Sequence, residues 1–447
     1  VGIRNNRTII SNGTQNYDPN KPTILFIIHE SSATGAPILA LSLMRSFQPK
    51  YNVACAIIKP KNITTSFYES SFIVQNDIQG NETRSLISFL KLLKEKYHLK
   101  GIIVNSAVAY KAISPSADLN IPSLLMVNEY AHNVYPFGLV LKALSKTSRA
   151  IFPATEVRVS YQSKAKEQNL AVGFLENKSL IIPQGKIPTF STGFGDNLSV
   201  EELKRKLKLT SEDDKIVIVG AGTIDQRKGV DLFLDVAHLV VSTFGINSVF
   251  VWVGSSSQVR GYFKKIQKQI IRYGLQENFI FLDHQSSLEN IFSISDVFCL
   301  TSRRDPFPNV VIDALASNLH ITCFEEASGF PSFLKKYEAN YSQAPYLNVK
   351  EMAKNIKFYL SKDIYEHRKS TKNINLVKQH LCFDTYADSV DACLVDIISN
   401  DIRGYSPEME AYLNFENGVD DENLSKIDVS SFTSEFRFLN LFTLEDA

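Results

Sequence analysis

The first strongly patterned segment is TILFIIHE (Thr23 to Glu30), an apolar run of strand length. The small-residue loop SSATGAP follows, then ILALSLMRSF, whose apolar positions recur at helical spacing. The same order repeats along the first half. NVACAIIKP predicts a strand, SLISFLKLLKEKY a helix, and GIIVNSA, PSLLMVNEYA and RAIFPATE three more strands. Apolar runs without polar alternation predict strands buried on both faces of a parallel sheet. SLIIPQGKIP closes this half near residue 188, and the polar stretch TFSTGFGDNLS separates it from a second series. There KIVIVGAG, SVFVWVG, FIFLDH, DVFCLTS and HITCFEE predict strands, and GVDLFLDVAHLVVSTF, RGYFKKIQKQIIRYG and LENIFSIS predict the helices among them. The alternation predicts an α/β chain of two doubly wound, Rossmann-like domains in series. The expected division is a polar N-terminal segment over 1–21, domains over 22–188 and 189–378, and an acidic tail over 404–447. Between the second domain and the tail, residues 379–403 carry the helical pattern TYADSVDACLVDII, expected to cross back to the first domain.

Composition narrows the classes. A chain of 447 residues suits two domains. With 44% hydrophobic and 21% charged residues it reads as an ordinary globular protein. A formal net charge of +1 excludes a polycation that would hold nucleic acid, and the basic helix RGYFKKIQKQIIRYG lacks the aromatic platforms of a nucleic-acid surface. No apolar run approaches the roughly 18 to 20 residues of a membrane span, and the N-terminus VGIRNNRTIISNGTQNYDPN has no signal-peptide character. Five scattered cysteines without a CxxC pair point to a reducing compartment and away from a metal or redox motif. A cytoplasmic location is therefore expected. The basic amphipathic helices in LISFLKLLKEKYHLK and LVLKALSKTSR read first as solvated faces, with peripheral contact on the inner face of an anionic membrane as the alternative. From Asp401 onward, 11 acids stand against three bases, interleaved with seven aromatics. This pattern predicts that the tail docks on a further domain or protein partner.

Candidate chemistry lies where ligands bind in open α/β sheets, beyond the carboxyl ends of strands. After KIVIVGAG comes TIDQRKG. Gly220 and Gly222 allow a tight turn, and Arg227 and Lys228 precede a helix whose N-terminus could hold a phosphate. A dinucleotide fingerprint fails, because Asp225 occupies its third glycine position. The plain alternative is a βα turn with a solvated Arg-Lys pair. The second candidate is SRRDPFPNVVIDALASN (Ser302 to Asn318). Asp305 lies just past the strand DVFCLTS, and Pro308 suits the first turn of a helix. The amides of Asn309, Val310 and Val311 would then face ligand oxygens. Asp313, among Val311, Ile312, Ala314 and Leu315, is costly unless it accepts hydrogen bonds, for which the vicinal hydroxyls of a ribose or hexose are suitable donors. The plain alternative makes Asp305 a helix cap and Asp313 a surface acid.

These residues resemble the retaining nucleotide-sugar glycosyltransferases of family 4, whose two domains face a cleft in the GT-B fold. The resemblance covers roughly residues 22 to 400. It rests on Asp305-Pro-Phe-Pro-Asn-Val-Val-Ile-Asp313-Ala-Leu-Ala, an acid, seven residues and an acid, where the family pattern has two glutamates. ASGFP, GAGTIDQRKGVDLFL, TGAPILALSLM and IIPQGKIP resemble further landmarks of that family in the same order. The resemblance implies that Asp313 binds the nucleotide ribose and Asp305 the donor-sugar hydroxyls. Phe307, Pro308, Asn309 and Val310 would contact the sugar through their backbone. Lys228 and Arg227 would stabilise the departing diphosphate, with Gly222 and Thr223 in the same loop and Gly35 approaching from the first domain. Backbone at Phe281 and Leu282 would face the base. Glu129 and His132 are candidates for the acceptor side, with structural hydrogen bonding of their loop as the alternative. The implied reaction moves a sugar, with retention and without a metal or other cofactor, from a nucleoside-diphosphate sugar to a saccharide, lipid-linked or protein acceptor. A nucleotide-sugar epimerase and a catalytically silent GT-B subunit acting as a scaffold are the alternatives.

Overall fold

The computed structural model describes residues 9–76, 82–188, 197–210, 215–255, 261–361 and 370–399; the acidic tail lies outside them. The chain forms two compact units, one of Val1–Ile182 with Ser389–Ala447, the other of Pro183–Asp388.

The first unit is built on eight strands: β1 (Ile9–Asn12), β2 (Thr23–Glu30), β3 (Asn52–Lys59), β4 (Ile73–Asn76), β5 (Leu99–Asn105), β6 (Ser123–Met126), β7 (Arg149–Phe152) and β8 (Ser179–Ile181). They lie in the order β1-β4-β3-β2-β5-β6-β7-β8. All neighbours run parallel except β1, which pairs antiparallel with β4 and lies inside the segment read from sequence as merely polar. The order reverses between β2 and β5, so their carboxyl ends flank the crevice at which such sheets take ligands. Ile24 to Ile28 of β2 are fully buried, as an all-apolar central strand requires. The C-terminal helix Phe383–Ser399 covers part of this sheet: a Cβ on Gly101 of β5 would meet Leu394 at 3.2 Å.

The second unit has six parallel strands: β9 (Ile216–Ala221), β10 (Ser248–Val253), β11 (Phe279–Leu282), β12 (Val297–Leu300), β13 (His320–Phe324) and β14 (Tyr341–Ala344). Their order is β11-β10-β9-β12-β13-β14, with the reversal between β9 and β12. One face carries a core in which Phe233, from the helix Val230–His238, meets Phe250, Trp252 and Phe279 edge-on at 5.2 to 5.6 Å. β14 (YSQA) is a polar edge strand with no apolar signature, which is why the hydrophobic pattern does not reveal it. The long helix expected over GVDLFLDVAHLVVSTF keeps α geometry only to His238 and then widens into a π turn, Leu239–Thr243. Gln184 to Lys186, assigned from sequence to the first domain, pack in the second. The Lys186 amide donates to Leu381 O at 2.7 Å, and Gly185 lies so close to Cys382 and Phe383 that a Cβ would come within 2.6 Å of the Phe383 backbone. Among the described residues no helix is long and apolar enough to cross a membrane.

Candidate active site

The carboxyl ends of β9 and β12 bring the two candidate loops of the second unit side by side. After β9 the chain turns through Gly222, at φ +142°, whose carbonyl accepts the Trp252 indole N–H at 2.9 Å. The loop is therefore tied to the aromatic core. It returns through Asp225, whose Oδ1 accepts from the Lys228 amide at 2.8 Å, and ends at Gly229. Gly229 has φ +73°, and a Cβ there would lie 2.0 Å from Thr301 O, so only glycine lets this loop pass the end of β12.

Lys228 Nζ donates directly to Asp305 Oδ2. Arg227 Nη1 lies 3.5 Å from Oδ1 of the same carboxylate, and Ser302 Oγ donates to Oδ2 at 3.4 Å. Asp305 is only 7% exposed. Burial alone would raise its carboxyl, but Lys228 and Arg227 hold it below the ordinary carboxylate range. It is not a helix cap. The helix Asn309–Ala316 starts after Pro308, which is the capping residue itself, extended at ψ 121°, and no side chain caps it. This corrects the placement of Pro308 in the first turn. It also removes Val311 from the free amides, because Val311 N donates to Pro308 O at 3.0 Å. Asn309 and Val310 lead the helix, and Asn309 Oδ1 is buried without a partner.

Asp313 lies on this helix beside buried Val311, Ile312, Ala314 and Leu315. It is half-buried, so it is not the surface acid of the plain alternative. Burial pushes its carboxyl up to about 6, with Lys186 opposing and Glu289 adding to the rise. Lys186 and Glu289 form a loose ion pair at 3.8 Å. Sequence reasoning did not single out Lys186, Glu289, Ser302 or Arg303 as site residues: Lys186, Glu289 and the partners of Arg303 come together only through strand order or chain return, while Ser302 is local to the motif but carries no charge to mark it. Phe307 is a core side chain, stacked on Phe330 at 4.0 Å. Thr223 O accepts the Asp225 amide at 2.8 Å, inside the turn. Phe281 and Leu282 end the edge strand β11, and Leu282 O already accepts Gly254 N at 2.9 Å.

In the first unit, Gly35 opens the exposed N-terminus of the helix Gly35–Phe47, where no side chain caps the amides. Glu129, in the loop after β6, is hydrogen-bonded to the loop after β5 and to its own neighbour. Oε1 accepts from Ser106 Oγ at 2.5 Å, and Oε2 from the amides of Ala107 at 3.0 Å and Asn128 at 3.2 Å. Ser106 stands at φ +97°, a strained non-glycine conformation that these bonds hold. Burial nonetheless raises the Glu129 carboxyl despite those three donors. His132 is half-buried in the short 3₁₀ turn Ala131–Asn133 after β6.

Comparison with known proteins agrees with this architecture. Residues 200–375, which span the Lys228–Asp305 site, match the family described as glycosyl transferases group 1. Among solved structures, Anabaena HepE in complex with UDP-glucose is 14% identical, with a TM-score of 0.69 over 84% of this chain and 99% of that one. Sucrose-phosphate synthase from Thermosynechococcus elongatus is 14% identical, with a TM-score of 0.64 over 85% of this chain and all of the other. The UDP-forming α,α-trehalose-phosphate synthase from Burkholderia vietnamiensis is 12% identical, with a TM-score of 0.62 over 86% and 99%. A search of the curated proteins finds no match. The fold is that of the GT-B class, two Rossmann-like units built on parallel sheets. The matched segment, under half of the chain, supports a transferase.

Proposed function

We propose that the protein transfers a sugar, with retention and without a metal, from a nucleoside-diphosphate sugar to a saccharide, lipid-linked or protein acceptor. The observation that carries this reading is the ion cluster of Lys228, Arg227 and Asp305 at the strand reversal between β9 and β12. Two cations beside an uncapped helix N-terminus suit a diphosphate, and a buried carboxylate suits sugar hydroxyls. Structures of similar fold hold UDP or UDP-glucose, which supports a donor of this kind.

In this reading the acceptor oxygen forms its bond to the anomeric carbon on the face the diphosphate leaves. The bond from that carbon to the diphosphate oxygen breaks, and its electron pair departs with the diphosphate. The acceptor proton passes to a donor phosphate oxygen. Lys228 and Arg227 take up the negative charge that grows on the leaving group. Asp305 gives up part of its bond to Lys228 and accepts sugar hydroxyls, while Asp313 accepts those of the ribose.

The test is ¹H NMR of donor and acceptor mixtures in the presence of EDTA. Formation of a product whose anomeric configuration equals that of the donor supports the reading. Inverted product, or activity lost with EDTA and restored by a divalent cation, contradicts it. Conversion of the donor into an epimeric nucleotide sugar without acceptor would make the protein an epimerase.

A further inference from the structure

The side chain of Arg303 turns to the neighbouring β9 loop and the first turn of the helix that follows it. Its Nη1 donates to Gln226 O at 2.6 Å and to Asp231 Oδ1 at 2.8 Å, and Nη2 donates to Asp231 Oδ2 at 2.6 Å. Its backbone joins in: Arg303 N donates to Arg227 O at 2.8 Å, and Tyr346 OH donates to Arg303 O at 3.1 Å. Asp231 is fixed in turn by Tyr262 OH, which donates to Oδ1 at 2.9 Å. A single residue, three positions past the end of β12, thus grips the β9 loop at Gln226 and Arg227 on one side of Lys228 and the following helix at Asp231 on the other.

An exposed Arg-Asp pair would contribute little. This one is bidentate, half-buried, and adds a main-chain carbonyl to the fork, the geometry in which arginine cannot be replaced by lysine. Lys228 sits on a flexible four-carbon stem, so its ammonium is placed only as well as its backbone is held. Gly229, directly after it, lies too close to Thr301 O to leave slack in the loop.

Resting on the donor reading above, we propose that Arg303 is a positioning residue for diphosphate recognition: locked by Asp231, it sets the Gln226–Lys228 backbone so that Lys228 and Arg227 address the phosphates. Asp231 and Tyr262 complete the same device. Arg303 touches no ligand in this scheme and acts through Lys228.

A double-mutant cycle on the full chain tests this. UDP, GDP, ADP and dTDP are screened by thermal shift. The diphosphate that binds, and its parent nucleoside, are then titrated into wild type, Lys228→Ala, Arg303→Lys, Arg303→Ala and the Lys228→Ala/Arg303→Lys double variant. Arg303→Lys should weaken the diphosphate about tenfold and leave the nucleoside unchanged, and should cost clearly less once Lys228 is gone, since only Arg227 is then left for it to position. Arg303→Lys covers the case in which Arg303→Ala does not fold. Unchanged diphosphate affinity in Arg303→Lys overturns the positioning role, whatever happens to Tm. So does an equal additional loss in the Lys228→Ala background. If no diphosphate binds, or Lys228→Ala binds it as wild type does, the donor reading falls and this inference with it. If Lys228 matters and Arg303 does not, only this inference falls.

Discussion

Burial raises the Asp313 carboxyl from its ordinary value of 3.8 to about 6, and the physical consequence is a stability cost that depends on pH. Between those values the folded protein binds more protons at this site than the unfolded chain, so stability falls as pH rises from about 4 to 6. Above that, the charged form is carried at a penalty unless a ligand donates to it. Asp313→Asn should therefore raise Tm at pH 8 relative to wild type, with the gain shrinking at pH 5, while nucleotide affinity drops. An equal Tm difference at both pH values would show that Asp313 titrates normally. Asp305 behaves in the opposite sense, because Lys228 and Arg227 hold it ionised. Removing Lys228 alone leaves a buried carboxylate with half-exposed Arg227 as its remaining cation, a change that costs about 3 kcal/mol or more in comparable buried pairs. Lys228→Met should thus destabilise the protein, and Lys228→Met/Asp305→Asn should recover the stability without recovering transfer, as read by urea unfolding and donor turnover.

Elements explain which parts of this site were visible in the chain alone. The acid, seven-residue spacing and acid is local, so it reads directly from SRRDPFPNVVIDALASN. The partnership of Asp305 with Lys228 spans 77 positions and exists because β9 and β12 are neighbours at the strand reversal, a fact of topology that periodicity does not carry. The long central strands were legible because their runs are mainly apolar, whereas the short interior β4, half polar as IVQN, was not read. β1 and β14 were not, because edge strands need only one partner and tolerate polar residues. Pro308 was misplaced by one step, since its φ of −65° serves equally at a cap and in a first turn; ψ decides, and sequence does not fix ψ. The glycine that joins the two loops offers a comparison within one protein. Gly229→Ala and Gly245→Ala both put alanine at positive φ, but a Cβ at Gly245 meets nothing within 4 Å. Gly245→Ala should cost about 1 kcal/mol, and Gly229→Ala at least twice that with loss of nucleotide binding. Equal unfolding free energies for the two variants would show that Thr301 O yields freely.

At the scale of the molecule, the chain leaves the first unit at Ile182 and returns to it at Ser389. The returning helix is anchored where Asp391 accepts from Tyr51 OH at 2.6 Å and pairs with Lys50 at 2.7 Å, and where Asp396 pairs with Arg149 at 2.6 Å. Val390, Leu394 and Ile397 of the same helix are buried. The helical pattern was legible in TYADSVDACLVDII, but its anchors lie more than 240 positions away and were not. In the proposed reaction, recognition of the leaving group and the donor sugar rests on one carboxylate and two cations of the second unit. The most direct test is kcat/KM for the donor in Asp305→Asn, with Tm measured alongside. The account predicts a loss of about a hundredfold or more in a variant that remains folded. A kcat/KM within twofold of wild type in that folded variant would contradict it.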